Sequence, residues 1–496
     1  MQAYQYGSME WIKTELAGLL GQQVTADLND IVRLYSLYDG DGQSWTPNVE
    51  GLDYKPTVKR TNLIKKLIKD EARYMMSNEP EIKLVASDGK ANDAVSAVEN
   101  WLTDLLKRER WQDKLLKAAR DCFIGKRVAL KLTGGPQQQL GLQFRPSLEF
   151  VFDTDAENVD KLSKIVFFYQ QNESTDRDKQ RIWRQRYEMV GGRCLLTEGV
   201  YDGYGNIIEQ PHGQEDTGLD FIPAFVIIND GLTGDMTGES DVQELWDDQD
   251  TYNRFKSDDI DALRFNMFPM RVFRDASQET MDNLKISPGA TIDAQTDPAS
   301  ATQVDAKILE AQFGYNDRLE NALNRVKGDM YDLVSVPLVT PDQLKGFITS
   351  GKGMKALYWN LTTRCEEKWN AWDAALRWMV DALIKMAKTY KLATLPDVEY
   401  TVNIDHRYPI PDDEETERMN DMSEVSQQVR SRKSYLEKWS PDADSDAELR
   451  QIVAEQGMLG DQYEAAITAE TGEAQAPVSR LEMDGLTDTP DAPPNA

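Results

Sequence analysis

One stretch of this chain has the spacing of a phosphate-binding loop: Gly346 to Lys352, Gly-Phe-Ile-Thr-Ser-Gly-Lys. In such a loop the glycines let backbone N–H groups close on phosphate oxygens, the lysine reaches the outer phosphates, and a following Ser or Thr hydroxyl ligates magnesium. Here Gly353 follows Lys352, and the lead-in over 336–344 holds Pro337 and Pro341 in place of an apolar strand. A mobile loop is the simpler reading and a nucleotide site the alternative. Asp39, Asp41, Gln43 and Glu50 fit a calcium-loop template, but Ser44 stands where its sharp turn needs glycine, so a helix-ending turn explains them as well. The two histidines, His212 and His406, have no second histidine or cysteine near them in sequence to complete a metal set. Cys122, Cys194 and Cys365 lie far apart without a C-x-x-C pair, which fits a reducing environment. No catalytic, cofactor-binding or metal-ligating residue is assigned, no cofactor is expected, and the chain reads as not an enzyme.

The charge balance narrows the partners. The 496 residues carry 85 acidic and 56 basic side chains, a formal net charge of −29. Tight, sequence-independent binding of nucleic acid draws on lysine and arginine neutralising phosphates, so this balance argues against it. A protein that lets nucleic acid pass without gripping it stays compatible. The N-terminus shows no charged stretch followed by an apolar segment of the secretory kind. No apolar run approaches the ~20 residues that span a bilayer, so no membrane partner is expected.

The elements that position these residues follow from periodicity. Met354, Leu357, Leu361, Cys365, Trp369, Trp372, Leu376, Met379, Leu383, Met386 and Tyr390 recur at steps of three or four, one face of a helix from 352 to 390. Such a helix is roughly 58 Å long, more strut than core element. Trp359, Trp369, Trp372 and Trp378 are read as core or subunit-interface residues. Residues 11–38, 62–77 and 93–124 read as helices. The period then drops to about two, and 126–133, 140–152, 164–171, 181–190 and 193–197 read as an antiparallel meander, with 223–228 a further strand. Helix returns over 238–267, where Asp247, Asp250, Asp258 and Asp261 form a charged stripe beside an apolar one. Between Asp241 and Arg264, eight acids and three bases leave a net charge of −5. An insert with extended 269–273, a short helix over 278–284 and extended 290–293 separates this helix from another over 308–333. A strand over 399–404 closes the region. Residues 414–456 read as a small helical bundle whose last helix is capped by Ser445 with Glu448. Residues from about 466 have the composition of a disordered tail. The fold class is α+β.

The order of these pieces resembles the tailed-bacteriophage portal proteins, in the branch that includes the portal of the Bacillus phage SPP1. The likeness is carried by Asn62-Leu63-Ile64 running to Tyr74-Met75-Met76-Ser77-Asn78-Glu79-Pro80, and by Gly238-Glu239-Ser240-Asp241-Val242 with Asp250-Thr251-Tyr252-Asn253 and Ser257-Asp258. Val336-Pro337 with Ser350-Gly351-Lys352-Gly353-Met354-Lys355-Ala356-Leu357 adds to it, as do Ser434-Tyr435-Leu436 and Asp446-Ala447-Glu448-Leu449.

The resemblance implies a homo-oligomeric ring, usually a dodecamer, at one capsid vertex, with double-stranded DNA passing along its axis. It divides the chain into an α/β wing (1–237), a stem helix (238–267), a small α/β clip (268–306), a second stem helix (307–336), a tunnel loop (337–352), a long spine helix with its closing strand (353–411), a helical crown (412–465) and a disordered tail (466–496). Thr340, Asp342, Gln343, Lys345, Thr349, Ser350 and Lys352 then lie near DNA in the tunnel loop. Asp247, Asp250, Asp258 and Asp261 form the acidic stem face, which is either a solvated helix face or one turned to the tunnel or a neighbouring subunit. Arg271, Arg274, Asp275, Glu279 and Asp282 face partners on the clip. The implied partners are the terminase large subunit, a head-tail adaptor, and the major capsid and scaffolding proteins, in a virion assembled in the host cytoplasm. Two alternatives stand beside this: an ATP-hydrolysing packaging motor subunit, resting on 346–352, and a non-portal scaffold of long helices.

Overall fold

Asn62 shows how local chemistry starts the architecture: its side-chain oxygen accepts the Lys65 N–H at 2.9 Å and opens a helix whose Ile64, Leu67, Ile68 and Met75 are buried. The computed structural model describes residues 22–40, 55–87, 92–172, 174, 176–232, 234–267, 270–282, 295–299, 301–309, 316–339, 351–410, 414–440, 444, 445, 447–452, 454 and 455. They fall into two units, Met1–Ile410 and Pro411–Ala496.

In the first unit α1 (Gln22–Asp39) ends at Gly40, whose φ of 91° suits glycine; the expected start of this helix near Trp11 lies outside the described residues. After α2 (Leu63–Met76), β1 (Glu81–Ala86) pairs antiparallel with a strand at Tyr400–Asp405, Leu84 opposite Val402. No strand is expected here from the sequence. The helix expected over 93–124 is two, α3 (Asp93–Arg108) and α4 (Trp111–Gly125), because Arg110 takes the left-handed region at φ 51°. The six-residue step from Leu105 to Trp111 already interrupts the helical rhythm.

The expected meander separates into two sheets. β2 (Arg127–Gly135), β3 (Gln138–Pro146) and a later strand at Ala224–Ile228 form one, with β2 in the centre. β4 (Phe150–Thr154), β5 (Leu162–Gln170), β6 (Ile182–Val190), β7 (Arg193–Tyr201) and β8 (Ile207–Asp216) form the other, in chain order and antiparallel. The strand expected over 140–152 is cut after Pro146 by a 3-10 turn, Ser147–Glu149, and that cut hands the chain from one sheet to the next. β8 escaped the sequence reading because its side chains are almost all exposed, and Pro211 and Gly213 interrupt any alternation. Lys131 of β2 pins the sheets together. Its ammonium lies 4.7 Å from the Phe167 ring centre, 4.9 Å from Trp183 and 5.9 Å from Tyr187, and it donates to Gln185 Oε1.

After β9 (Ala224–Ile228), α5 (Asp241–Met267) leads into an insert closed by the antiparallel pair β10 (Met270–Arg274) and β11 (Asp305–Leu309), with α6 (Gln278–Asp282) between them. The expected extended run 290–293 lies outside the described residues. β11 corrects the helix expected from 307 or 308: Val272 pairs with Lys307, so these residues are strand, and α7 begins at Asn316 and ends at Leu333. Ile308 and Leu309 satisfied a helical period and a strand period alike. Ser335, at φ 56°, ends α7 in a Schellman turn, its N–H on Asp332 O at 3.0 Å and the Val336 N–H on Tyr331 O at 2.9 Å.

The long helix expected over 352–390 is α8 (Gly351–Leu357) and α9 (Trp359–Thr389), parted at Tyr358, whose ring stacks on Tyr74 at 5.3 Å. Every expected apolar position from Leu361 to Met386 is buried. α9 alone is roughly 46 Å long at the standard helical rise. Trp369 and Trp372 are in the core and Trp378 packs against it, but Trp359 is exposed. β12 (Tyr400–Asp405) completes the unit.

The second unit holds α10 (Glu414–Ser426) and α11 (Arg432–Trp439), with residues 447–452 also helical. The last helix is capped by Asp444, whose Oδ1 accepts the Ala447 N–H at 3.2 Å, and not by Ser445, which already lies in the helix. The expected tail, 466–496, lies outside the described residues.

Candidate functional site

Four charged side chains meet in the interior where α2, α5 and α9 converge. Glu71 and Lys368 sit on the apolar stripes of α2 and α9, and Asp241 opens α5. Lys368 Nζ lies 2.6 Å from Asp241 Oδ2 and 3.2 Å from Glu71 Oε1. Arg364 Nε lies 2.9 Å from Glu71 Oε1, and its Nη2 3.0 Å from Asp241 Oδ1 and 3.5 Å from Glu244. Its remaining nitrogen, Nη1, donates to Leu333 O, the last residue of α7, at 3.2 Å. One guanidinium therefore ties the start of α5, the end of α7 and the middle of α2 to α9.

The surroundings complete the junction. Lys368 also donates to Asn229 Oδ1 at 3.1 Å and stands 3.9 Å from the Phe123 ring centre. Burial works against the Lys368 ammonium, but Asp241 and Glu71 outweigh it and hold its pKa above the ordinary lysine value. Burial dominates at Glu71 and raises its pKa despite Lys368. Gly238 makes the approach possible, since at φ 76° a Cβ there would stand 2.5 Å from Lys126 O. Ser240 Oγ donates to Ile124 O at 2.7 Å. The segment Gly238 to Asp241 is thus a packing and pairing device. Sequence reasoning did not single out Glu71, Arg364 or Lys368, although Glu71 and Lys368 gave a signal: each is a charge at an apolar helical position.

A second arrangement lies farther along α5. Gln249, Asn253, Ser257 and Asp261, four residues apart, bind the backbone of 57–64 in turn. Gln249 Oε1 accepts the Leu63 and Ile64 N–H groups at 2.8 and 3.1 Å, and its amide donates to Thr61 O at 2.8 Å. Asn253 Oδ1 accepts the Thr61 N–H at 2.9 Å, Ser257 Oγ that of Lys59 at 2.9 Å, and Asp261 Oδ2 that of Thr57 at 2.8 Å. The register follows from geometry: four residues of helix rise about 6.0 Å, and two residues of extended chain span about 6.6 Å. The two rows therefore stay matched over three steps, as a polar zipper.

This zipper divides the expected acidic stripe. Asp261 is buried against Thr57, Asp250 is half-buried and pairs with Arg254 at 2.9 Å, and Asp247 and Asp258 are exposed. The Asp258 carboxyl is pushed upward by partial burial and by Asp261, with Arg254 opposing. Asp248, on the adjoining flank, is raised by burial and by Asp329 of α7. The open acidic surface of α5 is therefore narrower than the sequence suggested.

On the insert, Arg274, Asp275, Glu279 and Asp282 are all exposed, and Asp275 also accepts the Thr302 hydroxyl. The side chain of Arg271 lies outside the described set, as does that of Lys352, whose backbone is in the first turn of α8. Thr340, Asp342, Gln343, Lys345, Thr349 and Ser350 also lie outside the described residues. Of the phosphate-loop template, α8 does begin at Gly351, but the lead-in described up to residue 339 follows a helix and contains no strand. Asp39 pairs with Lys65 at 3.0 Å, and the remainder of the calcium template, 41–50, lies outside the described residues. His212 pairs with Glu215 at 3.1 Å; His406 stacks on Trp369 at 3.9 Å and lies 3.0 Å from Asp373. The three cysteines are free and buried, and burial raises each thiol well above its reactive range. Among the described residues, no cluster of three or more His, Cys, Asp or Glu is placed to hold a metal, and no helix is long and apolar enough to cross a membrane.

The family described as phage portal protein, SPP1 Gp6-like, matches residues 20–461, a span that includes the junction, the zipper and most of the second unit. No curated protein matches the chain. Similar solved structures include a chain of the neck of an empty gene transfer agent particle computed with C6 symmetry, at 12% identity and TM-score 0.43, covering 82% of this chain and 92% of that one. Another is a chain of the virion of a native gene transfer agent particle, at 11% identity and TM-score 0.39, covering 76% of this chain and 92% of that one.

Proposed function

This chain belongs to the SPP1 Gp6-like family of phage portal proteins, and from that premise we propose how its parts divide the work. A portal protein of this family is an oligomeric ring at the vertex of the phage capsid. In the proposed arrangement twelve copies surround an axial channel that carries double-stranded DNA inward during packaging and outward during ejection. Residues 1–237 form the wing. α5 and α7 form the stem, and β10, α6 and β11 form the clip; the second stem helix starts at Asn316, because 305–309 belong to the clip sheet. Residues 337–352 form the tunnel loop, α8 and α9 the spine, and the second unit the crown, followed by the tail.

The family match across both units is the observation that carries this reading. The junction at Arg364 supports the division of labour, since it fixes the ends of both proposed stem helices to the spine at the base of the loop. The net charge of −29 suits a conduit that does not hold DNA tightly. With a screening length of ~8 Å at physiological salt, only groups near the wall act on the duplex. Lys345 and its neighbours make transient phosphate contacts, and Arg274, Glu279 and Asp282 are offered to the terminase large subunit and then to a head-tail adaptor. The wing meets the major capsid and scaffolding proteins as the particle assembles in the host cytoplasm. The ring itself is not enzymatic; the motor reading of 346–352 has no strand among the described lead-in residues 336–339, and Gly353 stands where a hydroxyl residue would follow Lys352.

The test is packaging into heads assembled with and without the ring. Nuclease-protected DNA that depends on the ring, and no ATP hydrolysis by the purified ring alone, is the expected result. Ring-containing heads that protect no DNA with an active motor present overturn the conduit, and ATP turnover by the ring overturns the non-enzymatic reading.

A further inference from the structure

A groove of about 1120 Å³ lies between the β4–β5 turn, β9, the connector before α5 and one side of α9. Its walls include Phe152, Leu162, Met189, Phe225, Met236 and Trp378, all half-buried rather than sealed in the core. Phe225 and Trp378 stand 5.5 Å apart between ring centres and make one aromatic surface. Asp160 and Lys161 are exposed on its rim. Large apolar side chains left half-open around one concavity are the character of a docking site.

We propose that residues 9–20 of the same copy occupy this groove as an amphipathic helix. Met9, Ile12, Leu16, Leu19 and Leu20 fall on one helical face, the anchor spacing of a helix seated in an apolar groove. Lys13 and Glu15 flank that face, one charge of each sign, as do Asp160 and Lys161 on the rim. A helix this short does not persist in water by itself and depends on covering its apolar side. Position selects it as the occupant. Asp27 of α1 pairs with Arg127, whose guanidinium lies 5.6 Å from the Phe152 ring centre and donates to Thr237 O at 3.2 Å, beside Met236. Followed backward, α1 runs from Tyr35, bonded to Asp121 of α4, to Asp27 at the first residue of β2, whose strand partner Ile228 lines the groove. Gln22 is five residues farther along that path, about 7.5 Å at the helical rise. Gly21 precedes it and lets the chain turn at the rim. The lengths also agree: twelve helical residues span about 18 Å, and α9 from Ala374 to Lys385, both on the groove, about 16.5 Å. A segment tethered at the rim is present there at high effective concentration, which favours it over a free peptide. The contact lies within one copy and does not depend on the ring.

The experiment uses the full chain with a photo-crosslinking benzoylphenylalanine in place of Val159, which lines the groove and is 52% exposed. The sample is an equal mixture of isotope-labelled and unlabelled copies. Crosslinks from 159 to residues 9–20 of the same label are expected. Mixed-label crosslinks to 9–20 would put a neighbouring copy's segment in the groove and overturn the proposal, as would crosslinks only to other regions, such as 456–496, or none. A second measurement compares the parent with Ile12→Asp, Leu16→Asp by hydroxyl-radical footprinting. Oxidation of Met189 and Met236 in the groove is expected to rise several-fold, while the core residues Met75 and Met379 keep the parent's rate and show that the fold is intact. Unchanged oxidation of Met189 and Met236 overturns the proposal.

Discussion

Lys368 Nζ stands 2.6 Å from Asp241 Oδ2, and through that pair the first third of the 31-residue helix α9 holds the first turn of α5. Arg364, one turn earlier, holds Asp241 and Glu71 and extends to the end of α7. A buried pair of this kind is weak evidence for net stability, yet removing one partner strands the other charge. Its value lies in fixing how four helices meet.

Replacing Lys368 by Met should therefore cost about 3 kcal/mol, because Glu71 and Asp241 lose the more deeply buried of their two shared cations and keep only Arg364. Replacing Lys368 and Asp241 together by Met and Leu should cost clearly less than the two single changes added. Urea unfolding midpoints for the four proteins of this cycle decide it; additive losses would show that the two groups do not act as a pair.

The zipper makes a local prediction. Asn253→Leu leaves the Thr61 N–H without its acceptor and should cost about 1–3 kcal/mol. Hydrogen exchange should accelerate at Thr57, Lys59, Thr61 and Leu63 before it does in the core of α2. Asp261→Asn keeps an acceptor for Thr57 and should have the smaller effect. Unchanged exchange over 57–63 in Asn253→Leu would remove the zipper.

Lys131 predicts a pH dependence. Burial, reinforced by Arg145 and opposed by Glu198, lowers its pKa to about 7 from the ordinary 10.5. Between those values the unfolded chain holds a proton that the folded chain has released, so this group adds stability as pH rises from 7 toward 10.5. The difference in unfolding free energy between the parent and Lys131→Met should shift in the parent's favour over that range. A flat difference would mean that the ring faces of Phe167, Trp183 and Tyr187 keep the ammonium charged.

On the proposed channel, Lys345→Ala should lower the amount of packaged DNA and leave ring assembly intact. Asp247→Lys with Asp258→Lys should slow packaging more at low salt than at high salt, since added phosphate contacts are screened by ions. Asp261→Lys should instead impair folding, because Asp261 is buried on Thr57. Equal packaging by all of these variants would separate both the loop and the α5 face from translocation.

The α9 stripe was legible from sequence because one period ran unbroken from Leu361 to Met386. The order of helices and strands was legible for the same reason, and the ordered motifs pointed to the family. What sequence did not reveal depended on distant partners. β1 and β12 define each other across more than 300 residues of chain, and β11 becomes a strand only because β10 lies beside it. Asp258 and Asp261 are alike in type and three residues apart, and only the strap at 57–64 separates them. Glu71 and Lys368 were readable in principle, as charges on apolar stripes whose mutual pairing explains both.

The most direct test of the central claim is the assembly state of the purified full-length chain, measured by native mass spectrometry together with negative-stain class averages. Closed rings of one dominant stoichiometry, with an axial opening wide enough for B-form duplex, are predicted. Monomers only, or particles without a central opening, would contradict the account.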